Sequence, residues 1–136
     1  MKLVLDTNAV SALMKGDLRV VERLKERSKD EVSVPQPVLA EIAYGIERLP
    51  KSKRKDVLQE RFDLVRSELA RSEWTDEVSE SFGRIKATLE KKGRRIEDFD
   101  AAIAAHALAR GAILVTANLD DMTRISGLTV EDWSSP

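Results

Sequence analysis

Short apolar runs that end on small polar residues, separated by longer segments with apolar residues at helical spacing, predict an α/β fold with a mainly parallel sheet. Two such runs carry most of that prediction. LVL at 3–5 leads straight into Asp6, Thr7 and Asn8, and AILVT at 112–116 leads into the cluster TANLDD. Between them lie six helical stretches and no internal repeat, low-complexity segment or Gly/Ser-rich linker. In open parallel sheets, sites form beyond the carboxyl ends of the strands, above all where strand order reverses. A polar cluster at a strand end is therefore a candidate site as well as a turn.

Taken in order, residues 2–5 suit a buried strand, followed by a helix from about Ala9. A second helix is expected from Asp17 to about Lys29, with Val20, Val21 and Leu24 as its apolar stripe. EVSVP at 31–35 reads as a second strand, stopped by Pro35. QPVLAEIAYGIERLP then has Pro37 at a helix start and Pro50 at its end, with Val38, Ile42, Ala43, Ile46 and Leu49 on one stripe. Further helices are expected over 51–71, 76–92 and from the acids of IEDFD to Gly111, a suitable C-cap. SEW at 72–74 is a candidate edge strand, and LTV at 128–130 a candidate last strand.

The totals narrow the chemistry. A chain of 136 residues with 42% hydrophobic content suits a single domain, 1–136, with a real core. Its 23 basic and 24 acidic residues give a net charge of −1, so an anionic partner must be met by local patches. With no cysteine there is no disulfide, thiolate catalysis or Cys-ligated metal, which accords with a reducing cytoplasm. No run approaches the roughly 18 apolar residues of a membrane span, so a soluble cytoplasmic protein is expected. His106 is the only histidine, which rules out a metal-free ribonuclease mechanism with paired histidines, and a His-rich zinc site. Chemistry falls to carboxylates.

Four acids stand where carboxylates are expensive. Asp6 ends a buried run, and Asp121 follows the second one. Asp100 shares a helical face with Ile103, Ala104, Ala107 and Leu108, while Glu41 intrudes into the best apolar helix beside Val38 and Ile42. Gathering like charges in low dielectric is unfavourable unless they protonate or share a cation. A hard divalent ion, Mg²⁺ or Mn²⁺, resolves the conflict and points to phosphate chemistry. Thr7, Asn8, Thr116 and Asn118 are then available to orient the carboxylates. Each piece also has a plainer reading: Asp6-Thr7-Asn8 as a helix cap, Glu41 as an exposed helical acid, Asp100 as a first-turn acid and Asp120-Asp121 as a loop signal. His106 reads as a packing or surface residue, and Trp74, Trp133 and Tyr44 as core or interface groups rather than stacking platforms.

The LDTN opening, AEIAYGIERLP, DAAIAAHALARGAILVTAN and the closing GLTVEDW resemble the PIN-domain ribonucleases, specifically the VapC-type toxins of toxin–antitoxin pairs. The resemblance spans essentially the whole chain, and its strength lies in the ordered set of acids. It implies a three-layer α/β/α sandwich around a parallel sheet of four or five strands, and endonucleolytic cleavage of RNA. The family's metal-binding acids fall on Asp6, Glu41 and Asp100. The fourth falls on Asp121 if Met122 takes the family's aromatic position, with Asp120 as the alternative. Thr7, Asn8, Thr116 and Asn118 take the places of the small polar helpers.

The resemblance further implies a structured RNA substrate such as tRNA, a VapB-type antitoxin, a toxin homodimer and a higher-order toxin–antitoxin complex. The helical pair at 36–70 is the expected groove for an antitoxin helix. Of the two basic runs, KKGRR at 91–95 is preferred over KSKRK at 51–55 as a guide for the RNA backbone, since it leads to Asp100. Two alternatives remain at this point: a non-catalytic PIN-like module that binds RNA or protein, and a phosphatase with Asp6 as nucleophile. The second is weakened by Asn8, where dehalogenase-type enzymes carry a second acid.

Overall fold

The computed structural model describes residues 2–134. Among them five strands form one sheet: β1 (Leu3–Leu5), β2 (Val32–Pro35), β3 (Ala70–Ser72), β4 (Ile113–Val115) and β5 (Thr129–Glu131). Their order is β3-β2-β1-β4-β5, and every pairing is parallel. Consecutive residues of β1, and Val32, Val34, Leu114 and Val115, are almost wholly buried, so both faces of the central strands are covered. The cover is seven helices: α1 (Thr7–Met14), α2 (Leu18–Lys25), α3 (Gln36–Glu47), α4 (Lys53–Glu68), α5 (Asp76–Lys91), α6 (Asp98–Arg110) and α7 (Leu119–Met122). Right-handed crossovers put α1–α4 on one face and α5–α7 on the other, because the chain moves outward through β2 and β3 and then returns to β4 and β5. Strand order thus reverses between β1 and β4. No helix among the described residues is long and apolar enough to cross a membrane.

Local chemistry explains most element ends. Asp17 caps α2 through the Arg19 N–H, Ser52 caps α4 through Lys55, and Thr75 caps α5 through Val78. Gly111 ends α6 at φ 62°, a left-handed conformation that costs glycine little.

Several expected boundaries move. The first helix starts at Thr7, two residues before the sequence suggests, because Asp6 itself is its cap. The expected helix 17–29 stops at Lys25, and a separate 3₁₀ turn, Lys29–Glu31, starts where the Ser28 N–H donates to Glu31. The third strand is Ala70–Ser72, not 72–74, since its register opposite Ser33–Pro35 uses Ala70 to Ser72 and Trp74 lies beyond the sheet. The loop expected after β4 contains the short helix α7.

Candidate active site

Asp6 follows β1 and Thr116 follows β4, so both stand at the reversal of strand order. The Asp6 backbone N–H donates to the Val115 carbonyl at 3.1 Å, which zips the two strand ends together. The Asp6 side chain accepts from the Ala9 N–H at 2.8 Å and is also held by Thr116. Helix cap and site acid are therefore not competing readings, since one carboxylate oxygen caps while the group remains at the cleft. Burial raises the Asp6 pKa, the Thr116 and Ala9 hydrogen bonds pull it down, and the Glu41 charge raises it again.

α3 and α6 pack against each other and bring Glu41 and Asp100 to the same place. Asp6, Thr7, Asn8, Glu41, Asp100, Ile103 and Asn118 line one open cleft of about 110 Å³. The Thr7 hydroxyl donates to the Glu41 carboxylate. Asp100 is half-buried in the first turn of α6, and its pKa is pushed up to about 6. Burial is the main cause, followed by the charges of Glu41, Asp121, Asp6 and Glu97. Carboxylates from three other chain segments thus bear on Asp100 at the cleft, the condition that a cation relieves.

Two expected site residues lie outside the lining. Thr116 is buried beneath Asp6, donates no contact to the open cleft, and accepts from the Asn118 N–H at 2.9 Å. Asp121 stands at the margin, where the Asn118 amide donates to it at 3.3 Å and Arg124 lies 3.8 Å away. Asp120 is exposed, so the geometry puts Asp121 nearer Asp100's field than Asp120. Sequence reasoning missed Arg124, whose position one turn after Asp121 was its only signal, and Ile103 as part of the wall. Among the described residues no three acidic or imidazole groups converge closely enough to enclose one ion. The donor set nonetheless fits a hard ion, because Mg²⁺ keeps several waters and takes only one or two carboxylates directly.

The remaining candidates separate clearly. His106 is completely buried, with Nδ1 2.9 Å from the Ser72 hydroxyl and Nε2 without a partner among the described residues. Burial, assisted by Arg110, lowers its pKa to about 4. Trp133 belongs to the core, whereas Trp74 is half-exposed with its ring perpendicular to that of His106, and Tyr44 is 67% exposed, outside the core. Of the helical pair at 36–70, α4 borders an apolar groove among the described residues. It lies between the α1–α2 segment and α4, about 350 Å³, lined chiefly by Leu13, Met14, Leu24, Leu64, Val65 and Leu69.

A parallel sheet with an acid cleft at its reversal point defines an α/β enzyme domain suited to phosphate chemistry, and the PIN domain family model matches residues 3–128. The chain belongs to the PIN-domain family. It is 34% identical to Ribonuclease VapC2 of Rickettsia felis over 96% of both chains, and 31% identical to the tRNA(fMet)-specific endonuclease VapC of Shigella flexneri over 98% and 99%. It superposes with TM-score 0.87 and 31% identity on VapBC2 from Rickettsia felis, solved bound to a DNA fragment from its promoter, covering 98% of this chain and 99% of that one. Within the PIN family it is therefore a VapC-type ribonuclease toxin of the VapBC toxin–antitoxin class. That membership sets aside the non-catalytic and phosphatase alternatives.

Proposed function

We propose that this chain is a single-domain cytoplasmic endoribonuclease that depends on Mg²⁺ or Mn²⁺, cleaves structured RNA such as tRNA, and thereby inhibits translation. The observation that carries the reading is the cleft at the β1/β4 reversal, where Asp6, Glu41 and Asp100 share one solvent-open space and the neighbouring charges make Asp100 costlier to ionise. Asp6, Asp100 and Glu41 would hold the ion, with Asp121 at the margin. When bound, a divalent ion supplies acidification of a water and neutralisation of charge on the leaving oxygen.

The chain's own groups do the positioning. Thr116 and the Ala9 N–H fix the Asp6 carboxylate, and the Thr7 hydroxyl fixes that of Glu41. Asn118 ties Asp121 to the end of β4. With no histidine in the cleft, a carboxylate takes the proton from the attacking water. External water leaves a 5′-phosphate and a 3′-hydroxyl and needs no 2′-hydroxyl, so preference for RNA comes from shape and contacts. Support for tRNA is the name of the Shigella relative.

A VapB-type antitoxin is the expected partner, in a higher-order assembly built on a toxin homodimer. The solved Rickettsia VapBC2 complex supports that reading, and the apolar groove along α4 suits an amphipathic antitoxin helix. Copurification that yields only monomer with no small partner counts against it. The test of the nuclease reading is cleavage of a tRNA pool with Mg²⁺ or Mn²⁺ by wild type, Asp6→Asn and Asp100→Asn. Cleavage by wild type alone is expected, and equal cleavage by all three sinks the reading.

A further inference from the structure

We propose that the outer face of α3 beyond Glu41 is a nucleotide subsite, with Tyr44 as a stacking platform for one base of the RNA and Arg48 as the contact to a neighbouring phosphate. The inference rests on the nuclease reading above and extends it from the reacting phosphodiester to the strand that flanks it.

Glu41 lines the cleft, and Tyr44 follows it by three residues on the same helix, so the two share a face. Arg48 caps the end of that helix four residues further on, and its guanidinium lies 6.0 Å from the centre of the Tyr44 ring. At the helical rise the distance from Glu41 to Arg48 is about 10 Å along the axis. Gly45, the other residue on this stripe, has no atom within 4 Å of where a Cβ would stand, so the face is open. Beyond Arg48 the chain exposes Lys51, Lys53 and Arg54, whereas Lys55 turns back to the carbonyls of Glu47 and Leu49.

Chemistry then selects the occupant. A ring that is 67% exposed beside a cation is well matched to a nucleobase with its phosphate. Arginine suits the phosphate because its planar fork binds oxygen pairs and also stacks. The track leads from the acids, through an aromatic, to positive charge, which is the order a strand needs once its scissile phosphate sits at the carboxylates. A second copy of the chain is the competing occupant. Against it, this face sets one aromatic among Glu41, Glu47 and Arg48 with only the alanines Ala40 and Ala43 for apolar cover, while interface centres are depleted of charge.

Tyr44 is the only tyrosine in the chain, so uniform 3-fluorotyrosine labelling gives a single fluorine resonance that reports this ring. Short single-stranded RNA is titrated against the full-length chain with divalent ions chelated, so that nothing is cleaved. The expected result is a saturable ring-current shift, with binding weakened about tenfold by Tyr44→Ala and restored by Tyr44→Trp. Arg48→Ala should lower the salt dependence of binding by about one ion. RNA that binds, and is cleaved when metal is restored, while the resonance stays unmoved overturns the stacking assignment and leaves the nuclease reading standing. A resonance that moves with protein concentration alone assigns the face to a contact between copies and also overturns it. Neither binding nor cleavage removes both readings.

Discussion

Asp100 and His106 stand less than two turns apart on α6, and burial pushes both toward the uncharged form. The outcomes differ because their surroundings differ. Asp100 keeps contact with solvent at the open cleft and meets other carboxylates, so its pKa rises to about 6 and the group still ionises near neutral pH. His106 is sealed between α6, β3 and Trp74 with a single hydrogen-bond partner among the described residues, so it stays neutral down to about pH 4. One end of the helix opens on a cleft of like charges, and the other is closed within the core. Polar burial alone thus does not mark a site; an opening and a set of unneutralised neighbours do.

The largest effect that sharpens this contrast is catalytic. Asp100→Asn should lower the rate of RNA cleavage by about a thousandfold, since loss of an ion's ligand removes several kcal/mol from the transition state. His106→Gln, once shown folded by circular dichroism, should keep its rate within about threefold, because the imidazole touches no reacting group. A large loss in a folded His106 variant would break the comparison. Next in size, Thr7→Val should weaken divalent-ion affinity, read by calorimetry, about tenfold, because Glu41 loses the hydroxyl that orients it.

Effects on stability come next. Ser72→Ala should cost about 1–3 kcal/mol in urea titration, because it leaves both nitrogens of a buried imidazole unpaired. The pH dependence of the metal-free chain is the most delicate test. The folded pKa of His106 is depressed from 6.5 to about 4, so the unfolded chain binds the extra proton and stability falls as pH drops through that window. The folded pKa of Asp100 is raised from 3.8 to about 6, so its contribution has the opposite sign: stability is lost as pH rises through 6. The two partly cancel between about pH 4 and 6. Asp100→Asn, measured with chelator, should steepen the acid loss and raise stability at pH 7 by about 1 kcal/mol or less after solvent screening. An unchanged profile would show that the cleft acids do not strain one another.

Much of this arrangement is legible in the sequence, and the reasons are local. The run Leu3–Leu5 before Asp6, the prolines around α3 and Gly111 after α6 report strand, helix and stop through backbone chemistry that each residue carries with it. The acids were legible because a carboxylate on an apolar stripe is a conflict visible at helical spacing, as at Glu41 and Asp100. What was not legible depends on neighbours distant in the chain. The third strand was displaced to Ala70–Ser72 because its register is set by Ser33–Pro35 across the sheet, and its own residues are too polar to declare a face. That α4 shares its apolar groove with the α1–α2 segment depends on α4 meeting α1 as well as α3, a contact no single helix pattern declares.

By itself, then, the sequence determined the α/β class, the family and the acids that stand out of place, since periodicity, capping and carboxylate cost are properties of short stretches. Only the tertiary structure decided which carboxylates share a cleft, that Asp6 caps α1 while facing it, that His106 is closed off and that Tyr44 lies open beyond Glu41. Burial and electrostatic repulsion are set by what the fold brings within a few ångströms, and adjacency in space across β1, α3, β4 and α6 is not written in any one of them.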